Sequence, residues 1–241
     1  MKTVIVLAAA IGLAVPAAAA ERSNPIVVEL FTSQGCNSCP PADVFLGELT
    51  KRSDVLALSW HVDYWDYIGW KDPFAQAAFT ARQRDYSRAL AQRYVYTPQM
   101  VVDGRLQGIG SEKSTIEKLI TQAARQRDSE AANRPSLRLD GDTVRIEGGR
   151  VDPAAPAIVW LAVFEPEHRT SVRRGENAGR NLGNYNVVRE MRLLGRYTGE
   201  PVALPLGADA AMAGKGCAIV VQSELASGPG PVLASLAVDP R

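Results

Sequence analysis

Two cysteines separated by two residues, Cys36 and Cys39, are the residues of this chain best suited to chemistry. They lie in the segment GCNSCPP, between an apolar run that ends at Phe31 and a helical pattern that begins near Asp43. Cysteines at this spacing can exchange disulfides with other thiols, supply two thiolates to a metal site, or form a static disulfide. A disulfide that closes so short a loop restricts the unfolded chain little, which favours a reactive role over a stabilising one.

The order of the two cysteines gives each a role if the pair exchanges disulfides. Cys36 is then expected to face solvent as the nucleophile, and Cys39 to resolve the mixed disulfide. Amides at the start of a helix can lower the pKa of the first thiol. Pro40 and Pro41 predict a regular helix that begins at Pro40 and leaves the cysteines partly in a loop, which weakens that stabilisation.

A metal site is the rival chemistry for the same cysteines. The chain has only two histidines, His61 and His168. His61 follows a neighbouring predicted strand, and two thiolates with one imidazole would suit Cu(I). Because one nearby histidine supports modest affinity at most, we expect no bound metal and no organic cofactor.

The elements around the cysteines predict where the candidate residues meet. Apolar runs over residues 25–31 and 54–60 are typical of strands buried on both faces, and a helical pattern over residues 43–49 joins them. Strand, helix and strand at this spacing predict a parallel pair with a right-handed crossover. The cysteines and the segment HVDYWD, which begins at His61, then follow strands that end at the same edge of the sheet.

The segment after the second strand supplies further candidates. Tyr64 and Trp65 would offer aromatic faces to a bound peptide, and His61 or Asp63 would relay protons during exchange. The alternative for all four residues is ordinary packing at the sheet edge, with His61 hydrogen-bonded there.

Three more elements complete the first half of the chain. A long helix is predicted from Asp72, as its N-cap, to about Tyr94, with Pro73 in its first turn. Two short strands around Asp103–Gly104 predict a hairpin, and a last helix begins at Ser111.

Composition changes after residue 128, where a linker over residues 129–135 begins. Beyond it helical periodicity disappears, and short strands separated by Gly- and Pro-rich turns predict a small, sandwich-like antiparallel β domain up to residue 241. The predicted strands cover residues 136–139, 143–147, 157–164, 186–193, 218–223 and 232–238.

The segment RRGENAGR in this second half is too polar and Gly-rich for a strand. A solvated loop between strands is the leading interpretation. The alternative is that the segment folds back over the cysteine edge, where Arg174, Glu176 and Asn177 would form part of a substrate site.

The first 20 residues have the pattern of a cleaved signal peptide. Lys2 precedes an uncharged apolar run, and Ala18–Ala20 offers a cleavage site before Glu21. We therefore expect a periplasmic or secreted protein with no membrane span after cleavage. In such compartments disulfides persist, and the unpaired Cys217, in an apolar strand pattern, is expected to be buried and inert. With 27 basic and 26 acidic residues, nothing suggests a nucleic-acid partner.

Residues 25–128 resemble the thioredoxin fold. The resemblance rests on the C-x-x-C between a strand and a helix, the later Thr97–Pro98, the hairpin at Asp103–Gly104 and the closing helix. More narrowly, the chain resembles a family of bacterial exported proteins of unknown function through the stretches ELFTSQGCNSCPPAD, WHVDYWDYIGW, TPQMVVDG and RRGENAGRNLGNYNVVRE. The resemblance implies a cis peptide bond before Pro98 that faces the disulfide, with the Thr97 backbone free to pair with a peptide.

These observations predict three regions: a signal peptide over residues 1–20, an α/β thioredoxin-like domain over residues 21–128, and an antiparallel β domain over residues 129–241. The favoured function is an exported thiol–disulfide oxidoreductase that acts on protein or peptide thiols and disulfides without a cofactor. A non-catalytic binding module on the same fold and a copper-handling protein are the alternatives.

Overall fold

A large sheet organises the chain in the computed structural model, which describes residues 21–207 and 214–238. The predicted signal peptide lies outside the described residues. Within them, nine strands form one sheet in the order β1-β12-β11-β8-β9-β3-β2-β4-β5, and three more form a second sheet in the order β10-β7-β6. The strands are β1 (Glu21–Ser23), β2 (Ile26–Thr32), β3 (Val55–His61), β4 (Gln99–Val102), β5 (Leu106–Ile109), β6 (Ser136–Asp140), β7 (Thr143–Glu147), β8 (Ala157–Ser171), β9 (Asn181–Tyr197), β10 (Val202–Pro205), β11 (Gly216–Leu225) and β12 (Gly228–Val238). The α-helices are α1 (Pro40–Leu49), α2 (Ala77–Ala89) and α3 (Lys113–Ser129).

The first strand–helix–strand unit forms as predicted. β2 and β3 are buried at every position and pair in parallel, from Ile26 opposite Val55 to Thr32 opposite His61. The helix between them, α1, begins at Pro40. The cysteine segment and the segment after His61 therefore leave the sheet at the same edge.

The hairpin also forms as predicted. β4 and β5 pair antiparallel, and Asp103 and Gly104 adopt φ values of 55° and 66°. Two consecutive left-handed residues produce the turn whose twist matches that of the flanking strands. β4 in turn pairs antiparallel with β2, which places the Thr97–Pro98 segment at the same sheet edge as the cysteines.

The prediction of a long helix from Asp72 to Tyr94 is wrong at both ends. α2 begins at Ala77, because the Asp72 carboxylate accepts a 2.9 Å hydrogen bond from the Phe74 amide and closes a turn instead of capping the helix. The helix ends at Ala89, since Ala91 has a φ of 52° and cannot continue a right-handed helix.

The strands after residue 128 extend the large sheet across the predicted domain boundary. β9 pairs with β3 in parallel at Val187 and Ser59, so strands from both halves share one sheet. β8 and β9 are longer than predicted and form a hairpin from Ala157–Tyr197 to Ser171–Asn181. The three-stranded sheet packs on one face of the large sheet, where Val144 contributes to an apolar cluster.

A buried polar network holds α2 against both halves. The Arg82 guanidinium donates to Glu29 in β2 at 2.6 and 2.9 Å and to Gln222 in β11 at 3.2 Å. Trp160 also donates to Gln222, at 3.0 Å. The network neutralises the buried charge of Glu29 and links the first strand of the parallel pair to the second half of the chain.

No helix among residues 21–207 and 214–238 is long and apolar enough to cross a bilayer.

Candidate functional site

Cys36 and Cys39 form a disulfide at the start of α1, with their Cα atoms 5.5 Å apart. Cys39 is the N-cap residue, and Pro40 with Pro41 occupies the first two helical positions. Proline has no amide hydrogen, and the Ala42 amide already donates to the Cys39 carbonyl at 2.9 Å. The helix start therefore offers few free amides to a thiolate, as the sequence predicted.

Burial of the nucleophile candidate differs from the sequence prediction. Cys36 is 1% exposed and Cys39 0%, so the expectation that the first sulfur faces solvent is wrong. The preceding residue and the Cys36 backbone are closely packed. A Cβ on Gly35 would lie 3.1 Å from the Trp65 Cβ, and the Asn177 side chain binds the Cys36 carbonyl.

Residues 61–72, the aromatic segment, meet the Thr97–Pro98 segment beside the cysteines. The Trp65 indole donates to the Thr97 hydroxyl at 2.8 Å, and the predicted cis peptide bond between Thr97 and Pro98 is present. Tyr64 is half-buried, and its hydroxyl donates to Gln83 at 3.1 Å. The structure thus brings Trp65, Thr97 and the cysteine segment together, while Tyr64 faces α2.

His61 belongs to a buried acid–base cluster under the same sheet edge. Its Nδ1 lies 2.7 Å from the Asp72 carboxylate, which also accepts a 2.7 Å hydrogen bond from the Gln34 amide. Burial acts to raise the pKa of Asp72, but the interactions with His61 and the hydrogen bonds from the Gln34 and Phe74 amides together outweigh it, and the pKa is lowered. Asp63, the sequence candidate for a relay with His61, instead accepts a 2.6 Å hydrogen bond from Thr80.

Asp43 is the third member of this cluster, and sequence reasoning missed it. It lies in α1 four residues after Cys39, a spacing that places both residues on one face of the helix. Burial raises the pKa of Asp43 from 3.8 to about 7, against the opposing effect of His61. Thr32 and Asn184 also act to lower this pKa, but neither makes a hydrogen bond of ordinary geometry with the carboxyl group.

Four polar atoms in this cluster have no hydrogen-bond partner among the described residues. They are Asp43 Oδ1, His61 Nε2, Thr32 Oγ1 and Asn184 Nδ2. Buried polar groups are nearly always paired with protein or with ordered water. The cluster therefore combines a carboxyl group that is protonated in part near neutral pH with buried polar atoms that have no partner among the described residues.

The β8–β9 hairpin carries its connecting residues 172–180, the arginine loop, to the cysteine segment. Asn177 is 1% exposed, and its Nδ2 donates to the carbonyl oxygens of Gln34 and Cys36, both at 2.9 Å. Arg180 donates to the Asn177 Oδ1 at 2.9 Å. Arg174 and Glu176 are exposed. The loop thus lies against the cysteine edge, and Asn177 is the sequence candidate that contacts it directly.

Gln34 joins the cysteine segment to the rest of the β8–β9 hairpin. Its Nε2 donates to Thr170 at 3.0 Å and to Asn184 at 2.9 Å, and its Oε1 accepts from the Trp70 indole at 3.1 Å. Gln34, Asp72 and Asn184 were not predicted as site residues. Their side chains act through contacts between distant parts of the chain, which no spacing in the sequence marks.

The remaining candidates lie away from this cluster. Within residues 21–207 and 214–238 no three Cys, His, Asp or Glu side chains are grouped to hold a metal ion, so Cys36, Cys39 and His61 do not form such a set. His168 lies 2.5 Å from Glu165. Cys217 is a buried free thiol, and burial raises its pKa to about 11, as expected for an inert residue.

Comparisons with known proteins identify the family. The family model described as "Protein of unknown function (DUF1223)" matches residues 27–222, and the chain belongs to this family. A crystal structure of a protein from Agrobacterium tumefaciens is 35% identical, with a TM-score of 0.73 over 88% of this chain and 93% of that one. HBP35 of Porphyromonas gingivalis is 12% identical, with a TM-score of 0.59 over 88% and 74% of the two chains, a likeness of fold alone. No curated protein matches.

Proposed function

We propose that this member of the DUF1223 family is an exported thiol–disulfide oxidoreductase with a thioredoxin-like arrangement of its first half. The observation that carries the proposal is the disulfide at the start of α1, with the protonatable and buried Asp43 on the same face one turn later. A static disulfide has no use for a buried carboxyl group, which costs stability when it ionises. Perturbed carboxyl groups of this kind are concentrated at functional sites.

The proposed exchange uses both cysteines in sequence. In the reducing direction the Cys36 thiolate attacks one sulfur of a substrate disulfide, and the other substrate sulfur leaves as a thiolate. The Cys39 thiolate then attacks the Cys36 sulfur, restores the protein disulfide and releases the second substrate sulfur. Two electrons pass from the protein dithiol to the substrate, and the two thiol protons end on the substrate sulfurs. The reverse sequence oxidises a substrate dithiol.

Asp43 serves the second step in this proposal. When Cys39 becomes the nucleophile its thiol must lose a proton, and a carboxylate with a pKa of about 7 is a suitable acceptor near neutral pH. His61, whose Nδ1 lies 2.7 Å from Asp72, favours the charged form of Asp43, whereas the Asp72 carboxylate opposes it. Because Cys36 is buried, the reaction also requires the segments packed on Gly35 and the Cys36 carbonyl to open.

A substrate segment would enter beside Thr97 and Pro98. The Thr97 backbone precedes β4 at the cysteine edge and offers an extended segment a place to pair as an additional strand. Trp65, hydrogen-bonded to the Thr97 hydroxyl, forms the aromatic wall of that entry.

Burial of Cys36 favours a second candidate function, a non-catalytic binding module in which the disulfide only shapes the cysteine segment. The two functions differ in one assay, the reduction of insulin by dithiothreitol. We expect the wild-type protein to accelerate it and Cys36→Ser to abolish the acceleration, whereas Cys217→Ala, which also removes one thiol, retains it. If the wild-type protein does not accelerate the reduction, the exchange function is refuted and the binding module becomes the favoured function.

A further inference from the structure

The arginine loop has a charge that the chain as a whole lacks. It carries Arg173, Arg174 and Arg180 against a single acid, Glu176, and so has a net charge of +2 in a chain whose 27 basic and 26 acidic residues nearly cancel. All four side chains are exposed. Such a local surplus attracts anionic groups over a distance set by the salt concentration.

These arginines also lack the carboxylate partners that several other arginines of the second half have. Among residues 21–207 and 214–238, Arg173 and Arg174 make no hydrogen bond or ion pair, and Arg180 bonds only the amide of Asn177. By contrast, four arginines elsewhere on β strands are paired: Arg138 with Glu147, Arg145 with Asp140, Arg169 with Glu167 and Arg196 with Glu224. The guanidinium groups of the arginine loop are therefore available to a partner.

The position of the loop gives this charge a role at the disulfide. Two hydrogen bonds connect the Arg180 guanidinium to the Cys36 carbonyl through the Asn177 side chain. On its other side the loop lies against the aromatic segment, because a Cβ on Gly175 would be 3.2 Å from both the Ile68 carbonyl oxygen and the Trp70 Cβ. The arginine loop therefore contacts both the cysteine segment and the aromatic segment.

The charged residues of the aromatic segment have both signs. Lys71 is exposed and adds a positive charge. Asp63 and Asp66 are half-buried, and Asp72 is buried beside His61, whereas the three arginines of the loop are exposed.

We propose that the arginine loop selects the substrates of the disulfide site, and that these are peptide or protein segments with carboxylates beside their cysteines. The proposal rests on the exchange function above. Guanidinium groups bind carboxylates in a planar, bidentate geometry, which adds orientation to the attraction. The loop would hold an acidic segment while one of its sulfurs reaches Cys36.

The test uses three peptides with one internal disulfide and the same sequence except at the residues flanking the cysteines, which are Asp, Asn or Lys. The purified protein is first reduced, and the rate constant for reduction of each peptide is measured in a single turnover by chromatography. Flanking charges alter the intrinsic reactivity of a disulfide, so each rate is divided by the rate at which dithiothreitol, a neutral dithiol, reduces the same peptide.

We expect the Asp peptide to react about 10-fold faster than the Lys peptide at low salt, and the ratio to approach one at about 1 M salt, where the screening length is about 3 Å. The double variant Arg173→Gln/Arg174→Gln should lose most of the preference. The matched control is Arg125→Gln, which changes an exposed arginine of α3. Arg125 lies at the opposite edge of the sheet, because its neighbour Arg127 binds the Pro25 carbonyl, just before β2 begins.

Equal normalised rates for the three peptides would overturn the proposal, as would a preference that the double variant keeps or that Arg125→Gln loses equally. These outcomes are distinct from failure of the exchange function. If the exchange function itself fails, dithiothreitol reduces all three peptides and the reduced protein reduces none.

Discussion

Replacement of Asp43 by asparagine tests the buried carboxyl group on which the proposed chemistry depends. The asparagine side chain has nearly the same shape as that of aspartate and does not titrate. In the wild-type protein the folded pKa is about 7 and the ordinary value is 3.8, so the folded state binds the proton more tightly than the unfolded state. Stability from this group is present below about pH 4 and is lost as the pH rises through 7.

The size of the loss follows from the two pKa values. Each pKa unit corresponds to about 1.4 kcal/mol, and the two values differ by about three, so ionisation of Asp43 costs about 4 kcal/mol at pH 8. Asparagine avoids this cost. The free energy of unfolding of Asp43→Asn should therefore rise relative to wild type by about 4 kcal/mol between about pH 4 and pH 8.

Urea denaturation of both proteins at several pH values, with Cys36 and Cys39 oxidised, measures the difference. Any pH-independent effect of the substitution cancels, because only the change with pH is compared. Asp128→Asn is the matched control, since Asp128 is exposed on α3. A difference between wild type and Asp43→Asn that stays constant with pH, or shrinks as the pH rises, would refute the assignment of a raised pKa to Asp43.

Two further substitutions and one labelling experiment test packing elsewhere in the fold. Gly47→Ala in α1 should destabilise the fold by about 1–3 kcal/mol in urea because the new Cβ would lie 2.6 Å from the Tyr185 ring, although alanine normally favours a helix. The same change in a Tyr185→Ala background should cost less, and an equal cost would contradict the contact. Arg82→Met should cost about 3–5 kcal/mol because it leaves Glu29 buried without its partner; a cost near zero in the same urea assay would show that the network contributes little. Cys217 should resist iodoacetamide at about pH 8 in the folded protein and react after unfolding, because burial raises its pKa to about 11; mass spectrometry that finds the folded protein labelled there would contradict this.

Local patterns predicted the elements that hold the disulfide. The apolar runs of β2 and β3, the prolines at the start of α1 and the Asp103–Gly104 turn each determine structure through neighbours in sequence. The helix at Asp72 was mispredicted for a related reason. An aspartate side chain can cap a helix, but the Asp72 carboxylate instead bonds His61 and the Gln34 amide, which are distant from it in sequence.

The candidate site was predictable only in part. The C-x-x-C and Thr97–Pro98 are marked by residue type and spacing, whereas the hydrogen bond from Asn177 to the Cys36 carbonyl joins residues 141 apart in the chain. The position of Asp43 near the disulfide could have been predicted, since a carboxylate four residues after Cys39 lies on the same helix face. Its raised pKa was not predictable, because it results from burial in the folded chain, which outweighs the opposing effect of His61.

The central claim is that Cys36 forms a covalent bond with substrate sulfur, and Cys39→Ser tests it most directly because it removes the residue that resolves the mixed disulfide. We expect mass spectrometry of the Cys39→Ser protein, after incubation with a peptide disulfide, to show an adduct of one peptide on Cys36 that dithiothreitol releases. Cys36→Ser should form no such adduct. Cys39→Ser protein that remains unmodified, with its Cys36 thiol free, would contradict the exchange mechanism and favour the binding module.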